Sequence, residues 1–159
     1  MTGHMIEHAA IATVLAPALV LLLRGSLSSV RPLVVWPLFV GTLWALNVPG
    51  VLDWIMMRPL AHAAADLIVL GVSVLFWVPV LARRRRLRGL GAGAYLITAG
   101  MASDLIGAWY MAMGETGAGV AMVAGMVPLG VAAVVLTWSG LVQEERRAVR
   151  WESYVDAAR

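Results

Sequence analysis

The chain has 159 residues, of which 61% are hydrophobic and only 13% charged, with a mean hydropathy of +0.85 and a formal net charge of +3. A soluble domain carries roughly 25% charged and 45–50% apolar residues, so this composition excludes one and specifies an integral membrane protein. Cysteine is absent, which excludes disulfides, thiolate ligands and copper carriers built on Cys-x-x-Cys.

A bilayer is crossed by about 20 mostly apolar residues. Spans are predicted at about 4–23, 32–48, 60–81, 90–113 and 118–141. No basic n-region or cleavage site precedes the first, so it is expected to stay in the membrane. It opens Met1-Thr2-Gly3-His4-Met5-Ile6-Glu7-His8, and as a helix this puts Met1, His4, Met5 and His8 on one face. Two imidazoles and two thioethers at the mouth of a span form a soft-metal pattern: imidazole suits copper, and thioether selects Cu(I). Pro17 is expected to kink this span. Residues 24–31 form a turn with an Arg at each end. Pro49 and Gly50 end the second span, and residues 51–59 read as a short interfacial piece with Trp54 at headgroup level. Glycines at 91, 93, 100 and 107 suit the fourth span to close packing, and the fifth has glycines at 119, 125 and 130 along it. Residues 1–142 are thus a transmembrane helical domain, and residues 143–159 a charged, amphipathic cytoplasmic tail, either a short helix or a disordered end.

Every non-histidine basic residue is Arg, and five of the 12 fall within 83–88. One short loop holds them, which makes them a topology signal and not a nucleic-acid patch. With that loop cytoplasmic, Arg24, Arg31, Arg146, Arg147 and Arg150 fall on the same side, and Arg58 stays outside. The expected fold is an all-α integral membrane bundle of five helices in the plasma membrane, N-terminus outside and C-terminus cytoplasmic.

This orientation collects the chemistry-bearing residues in one extracytoplasmic layer. Met1, His4, Met5, Glu7 and His8 come from the first span, and Asp53, Met56, Met57 and His62 from the second outer segment. Met111, Met113 and Glu115 end the fourth span, and Met122 and Met126 begin the fifth. All the histidines are here, and every methionine but Met101 lies at or near this layer. A single Met is ordinarily a packing residue; the joint placement in a cysteine-free chain favours metal. Asp66 shares a helix face with His62, and it either orients that ring or binds directly. Asp104 lies mid-span, where a carboxylate is costly and marks a functional candidate. Its alternative role is a hydrogen bond between helices, to Asn47 or Thr42.

The motif His4-Met5-x-x-His8 ahead of a span containing Pro17 resembles the opening of the CtaG family of cytochrome c oxidase assembly proteins. Trp44-x-x-Asn47-x-Pro49 followed by Asp53 resembles the family's Trp-His-x-Pro segment. His62-x-x-x-Asp66 with Leu75-Phe76-Trp77-x-Pro79 is similar to its next His-bearing span, and residues 119–128 to its Gly/Met-rich late helix. Asn47 stands where the family has His, Asp66 where a second His is expected, and the chain is short for the family. The resemblance implies a role in supplying copper to a haem–copper oxidase; the departures leave open a diverged relative with another target.

The reading is a membrane copper-binding chaperone or assembly factor, not an enzyme. It takes Cu(I) or Cu(II) on His4, His8, His62, Asp66, Met1 and Met5, with Asp53, Met56, Met57, Asp104, Met111, Met113, Met122 and Met126 as secondary candidates. Expected partners are copper, membrane lipid, an oxidase subunit or periplasmic copper carrier, and no nucleic acid, with a homo-oligomer left open. The rivals are a membrane haem protein with His axial ligands and an ion-coupled transport subunit using Asp104.

The orientation has a direct check. With Thr2→Cys, an impermeant thiol reagent labels intact cells. Labelling only after lysis reverses the topology.

Overall fold

Three helices begin on a proline, at Pro32, Pro49 and Pro59, and each is preceded by a residue in extended conformation. Proline has no N–H to lose in a first helical turn, and it pushes the residue before it out of the helical region. The structure, a computed structural model, describes residues 2–83 and 87–157. Met1 of the expected ligand set, Arg84, Arg85 and Arg86 of the basic loop, and the last two residues of the tail lie outside the described residues.

All regular structure among the described residues is helical. The first span is α1 (Thr2–Ala10), a π-helical turn (Ile11–Leu15) and α2 (Ala16–Leu23) in sequence. Next come α3 (Pro32–Leu46) and α4 (Pro49–Met56), set 72° apart. Then follow α5 (Pro59–Leu81), α6 (Gly89–Ala112) and α7 (Thr116–Ala157). Four helices are long and apolar enough to cross a membrane, and α3 with α4 makes a fifth if the bent pair is one span. The protein is a multi-pass, all-helical membrane bundle. The expected interfacial piece is the helix α4, and the helix α7 runs without interruption through the expected boundary at residue 142. No Gly or Pro lies between Leu141 and Ala157 to stop it.

The expected kink at Pro17 takes the form of the π turn. The Ala16 N–H donates to Ile11 O, one residue further back than in an α-helix. Pro17 has no N–H to donate, so Ala12 O loses both its α-helical and its π-helical partner. The Trp77 indole of α5 takes that place, donating to Ala12 O at 2.8 Å. Beside it the Thr13 hydroxyl donates to Ala9 O at 2.7 Å. A backbone irregularity in the first span is thus satisfied by its neighbour, as a lipid environment requires.

Around this joint α5 packs against α2, α3 and α4, α6 pairs with α7, and α1 packs on α7. A ring stack crosses the core: Phe39 of α3 on Phe76 of α5 with centroids 4.2 Å apart, and Phe76 on Tyr95 of α6 at 4.7 Å. The Tyr95 hydroxyl donates to Phe76 O at 3.0 Å. On the outward face of α7, Val127, Val131, Val134 and Val135 are exposed, as lipid-facing residues are.

Small residues allow the closest approaches. A Cβ on Gly119 of α7 would meet the Met111 side chain and would lie 2.5 Å from Gly107 O of α6. One on Gly125 would meet Ala9 of α1, whereas Gly130 faces open space. Without a hydrophobic drive between helices in lipid, such contacts carry the association. Gly119→Ala therefore forces α6 and α7 apart, at about 1–3 kcal/mol for overpacking. Its unfolding midpoint in detergent should fall by several degrees, at roughly 2–4 °C per kcal/mol. Gly130→Ala should leave it unchanged or raise it slightly. Equal midpoints for the two variants would remove this account of the α6–α7 contact.

Candidate metal centre

Residues four apart on a helix lie one above the other. His4 and His8 on α1 have this spacing, and so do His62 and Asp66 on α5. The two helices bring the pairs together in register: His4 faces His62, and His8 faces Asp66. Pro59 starts α5 just ahead, and the His62 N–H donates to Arg58 O at 3.0 Å, so the ring belongs to the first turn.

The His62 Nε2 atom is the focus. It lies 3.0 Å from His4 Nδ1, 3.5 Å from Glu7 Oε2 and 3.8 Å from Asp66 Oδ2. One donor atom from each of His4, Glu7, His62 and Asp66 falls within 4.8 Å of every other. Ligand atoms on one ion with bonds of about 2.0–2.2 Å lie at most about 4.4 Å apart, so the group must draw in by about half an ångström to close on an ion. Glu7 and His62 are reachable from outside, with side chains 48% and 31% exposed.

His8 stands behind this group. Its ring packs on His4 with centroids 3.9 Å apart, and its Nε2–H donates to Asp66 Oδ1 at 3.0 Å. Sequence reasoning had Asp66 either orient His62 or bind the ion directly. The nearer bond is to His8, which holds one carboxylate oxygen and leaves the other turned toward His62. Two buried ring nitrogens, His4 Nε2 and His8 Nδ1, have no hydrogen-bond partner. Buried polar atoms are nearly always paired, so these are spare valences beside a cluster whose two carboxylates attract a cation. Two imidazoles and two carboxylates are a chemically sound set for copper.

The other predicted residues divide by burial. Met5, Met122 and Met126 are buried in the hydrophobic core. Asp53, Met56, Met57, Met111 and Met113 are exposed, and none belongs to the four-donor group. Asp104 makes neither expected bond: its Oδ1 is buried and unpartnered, while the Asn47 amide donates to Leu43 O of its own helix. Sequence reasoning counted Glu7 in the layer but not among the ligands. The signal was its place one turn after His4, on the same face.

Searches for similar sequences among curated proteins and for similar solved structures return no match. The profile of the cytochrome c oxidase caa3 assembly factor family matches residues 22–118, more than half of the chain. The match includes His62 and Asp66, while His4, Glu7 and His8 precede it. The chain belongs to the cytochrome c oxidase caa3 assembly factor family (CtaG).

Proposed function

We infer that the chain is a copper carrier for oxidase assembly, holding the ion as cargo on His4, Glu7, His62 and Asp66 and releasing it to a haem–copper oxidase. The observation that carries this reading is the convergence of four donor side chains from α1 and α5 at one end of the bundle. Family membership supplies the target. The arginine distribution supports an extracytoplasmic site in the plasma membrane. The mixed nitrogen and oxygen set suits Cu(II) better than Cu(I), because thioether ligands select the reduced ion and Met5, Met122 and Met126 are packed in the core. The role is one of binding and release, not catalysis. Glu7 and His62 face outward, so a docking partner can exchange ligands with them directly. His8 orients Asp66 and is not itself a donor in this reading. The haem alternative is disfavoured, because the facing nitrogens of His4 and His62 are 3.0 Å apart. Two axial imidazoles across one iron need about 4 Å, two bonds of about 2.0 Å.

Copper titration of purified protein tests the assignment. His4→Ala, His62→Ala and Glu7→Gln should each weaken binding strongly. His8→Ala, which removes the orienting bond to Asp66 together with the ring packed on His4, should cost about 10–100-fold. Met113→Leu should bind like the parent. Parental affinity in all the histidine and glutamate variants would remove the site.

The pH dependence has a definite sign. Imidazole must be neutral to bind, so copper competes with protons, and affinity should rise with pH and fall as the solution is acidified. A flat profile from pH 5 to 8, accessible by isothermal titration with a copper chelator, would argue against imidazole ligands.

A further inference from the structure

The opposite end of the bundle carries a second feature that copper handling does not use. Leu22, Arg24 and Gly25 at the end of α2 and Leu81, Ala82, Arg83 and Arg88 at the end of α5 line one open cavity of about 730 Å³. It adjoins another of about 600 Å³ that shares Arg24, Gly25 and Arg83 and adds Ser26 and Ser28. The backbone ties the walls together. The Arg83 N–H donates to Arg24 O at 3.2 Å, joining the two chain ends. The Leu87 N–H donates to Pro79 O at 3.0 Å, which folds the chain back over α5 and brings Arg88 to the cavity.

Among the described residues no carboxylate forms an ion pair with Arg24, Arg83 or Arg88. Glu144 of α7 lies close to Gly89, beside Arg88 in the chain, and forms no ion pair with these arginines. Helix ends do not cancel the charge. The C-termini of α2 and α5 each contribute about −0.5, the N-terminus of α6 about +0.5, and with the three guanidinium groups the sum is about +2.5. Arg presents a planar fork that matches phosphate oxygens bidentately. Positive inside-facing loops are general in membrane proteins, but they do not by themselves gather arginines from two turns onto one hollow.

We propose that this cavity is a binding site for the phosphodiester of an anionic phospholipid headgroup. Its size lies in the ligand-pocket range of roughly 300–1,000 Å³, far above what a free phosphate fills. Its lining is amphipathic, with Leu22 and Leu81 beside the arginines. The arginines take the phosphate, and the leucines take the glycerol and first acyl carbons. Because α2 and α5 both end here, the cavity lies at headgroup depth, where basic pockets between helices select such lipids.

Native mass spectrometry of the full chain tests this, after release from micelles doped with phosphatidylglycerol, with phosphatidylcholine, or with inorganic phosphate alone. The expected result is a retained phosphatidylglycerol adduct, a much weaker phosphatidylcholine adduct and none with inorganic phosphate. Arg24→Gln with Arg83→Gln should lower phosphatidylglycerol retention by about 30-fold, from two lost charges near the headgroup. Arg146→Gln with Arg147→Gln, at exposed positions on α7, should leave it unchanged. If the double variant does not survive purification, Arg83→Lys keeps the charge but loses the fork and should lower retention several-fold. Equal retention of the two lipids, displacement by inorganic phosphate, an equal loss in the α7 variant or no loss in Arg83→Lys would each overturn the proposal.

Discussion

The hydrogen bond from the Trp77 indole to Ala12 O is the joint on which the rest of the bundle depends. It exists because the first span cannot be a regular helix. Pro17 withholds an N–H, the helix widens to a π turn over Ile11–Leu15, and one carbonyl is left without a backbone partner. In hydrocarbon such a group costs several kcal/mol if unpaired. Burying Trp77 against it, at 2% exposure, converts that cost into a specific attachment of the first span to α5. The π turn also lets α1 leave α2 in a different rotational setting, since a residue is added to the helix turn there.

That setting matters at the N-terminal end. The candidate metal centre needs the histidine face of α1 turned to the first turn of α5, and both helices carry their polar pair at the same four-residue spacing. With the register held, His4 meets His62, His8 meets Asp66, and Glu7 reaches in from one turn further along α1. The cluster is built from side chains on regular helices and not from loops, which favours a stable geometry. Its donors grade from buried to exposed, from His4 at 4% to Glu7 at 48%. A carrier needs such a gradient, because an ion enclosed on all sides cannot be passed to a partner.

Elsewhere the bundle follows the economy of a small membrane protein. α6 and α7 approach through Gly107 and Gly119, and α1 meets α7 through Ala9 and Gly125. Buried aromatic polar atoms are spent on backbone carbonyls between helices: the Tyr110 hydroxyl donates to Asn47 O, where α3 ends, and the Trp44 indole donates to Ala102 O of α6. These bonds stabilise the bend between α3 and α4 without any side-chain ion pair. The two ends of the molecule are left chemically distinct, imidazole and carboxylate at one, unpaired guanidinium groups at the other.

Composition alone determined that the chain is a helical membrane protein, because only helices or closed barrels satisfy backbone groups in lipid and the apolar stretches have helical span length. The close packing of α6 at Gly93 and Gly107 was likewise legible, whereas Pro49 read as the end of a span and instead starts α4. The four-residue spacings of His4 with His8 and of His62 with Asp66 were in the sequence, and so was the layer that contains them. What the sequence did not decide was which of these residues converge on one point. Helical periodicity assigns a face within one helix but carries no information about the rotation of one helix against another. Hence it ranked Met1 and Met5 with the histidines, although Met5 turns into the core, and it left Glu7 out although the side chain reaches His62. It offered Asp104 either as a functional carboxylate or as a partner of Asn47 or Thr42, and the packing of α3 on α6 makes neither of those bonds. Helix rotation was set by non-local contacts, above all Trp77 on Ala12 and the glycine contacts of α7, and those exist only once the chain is folded.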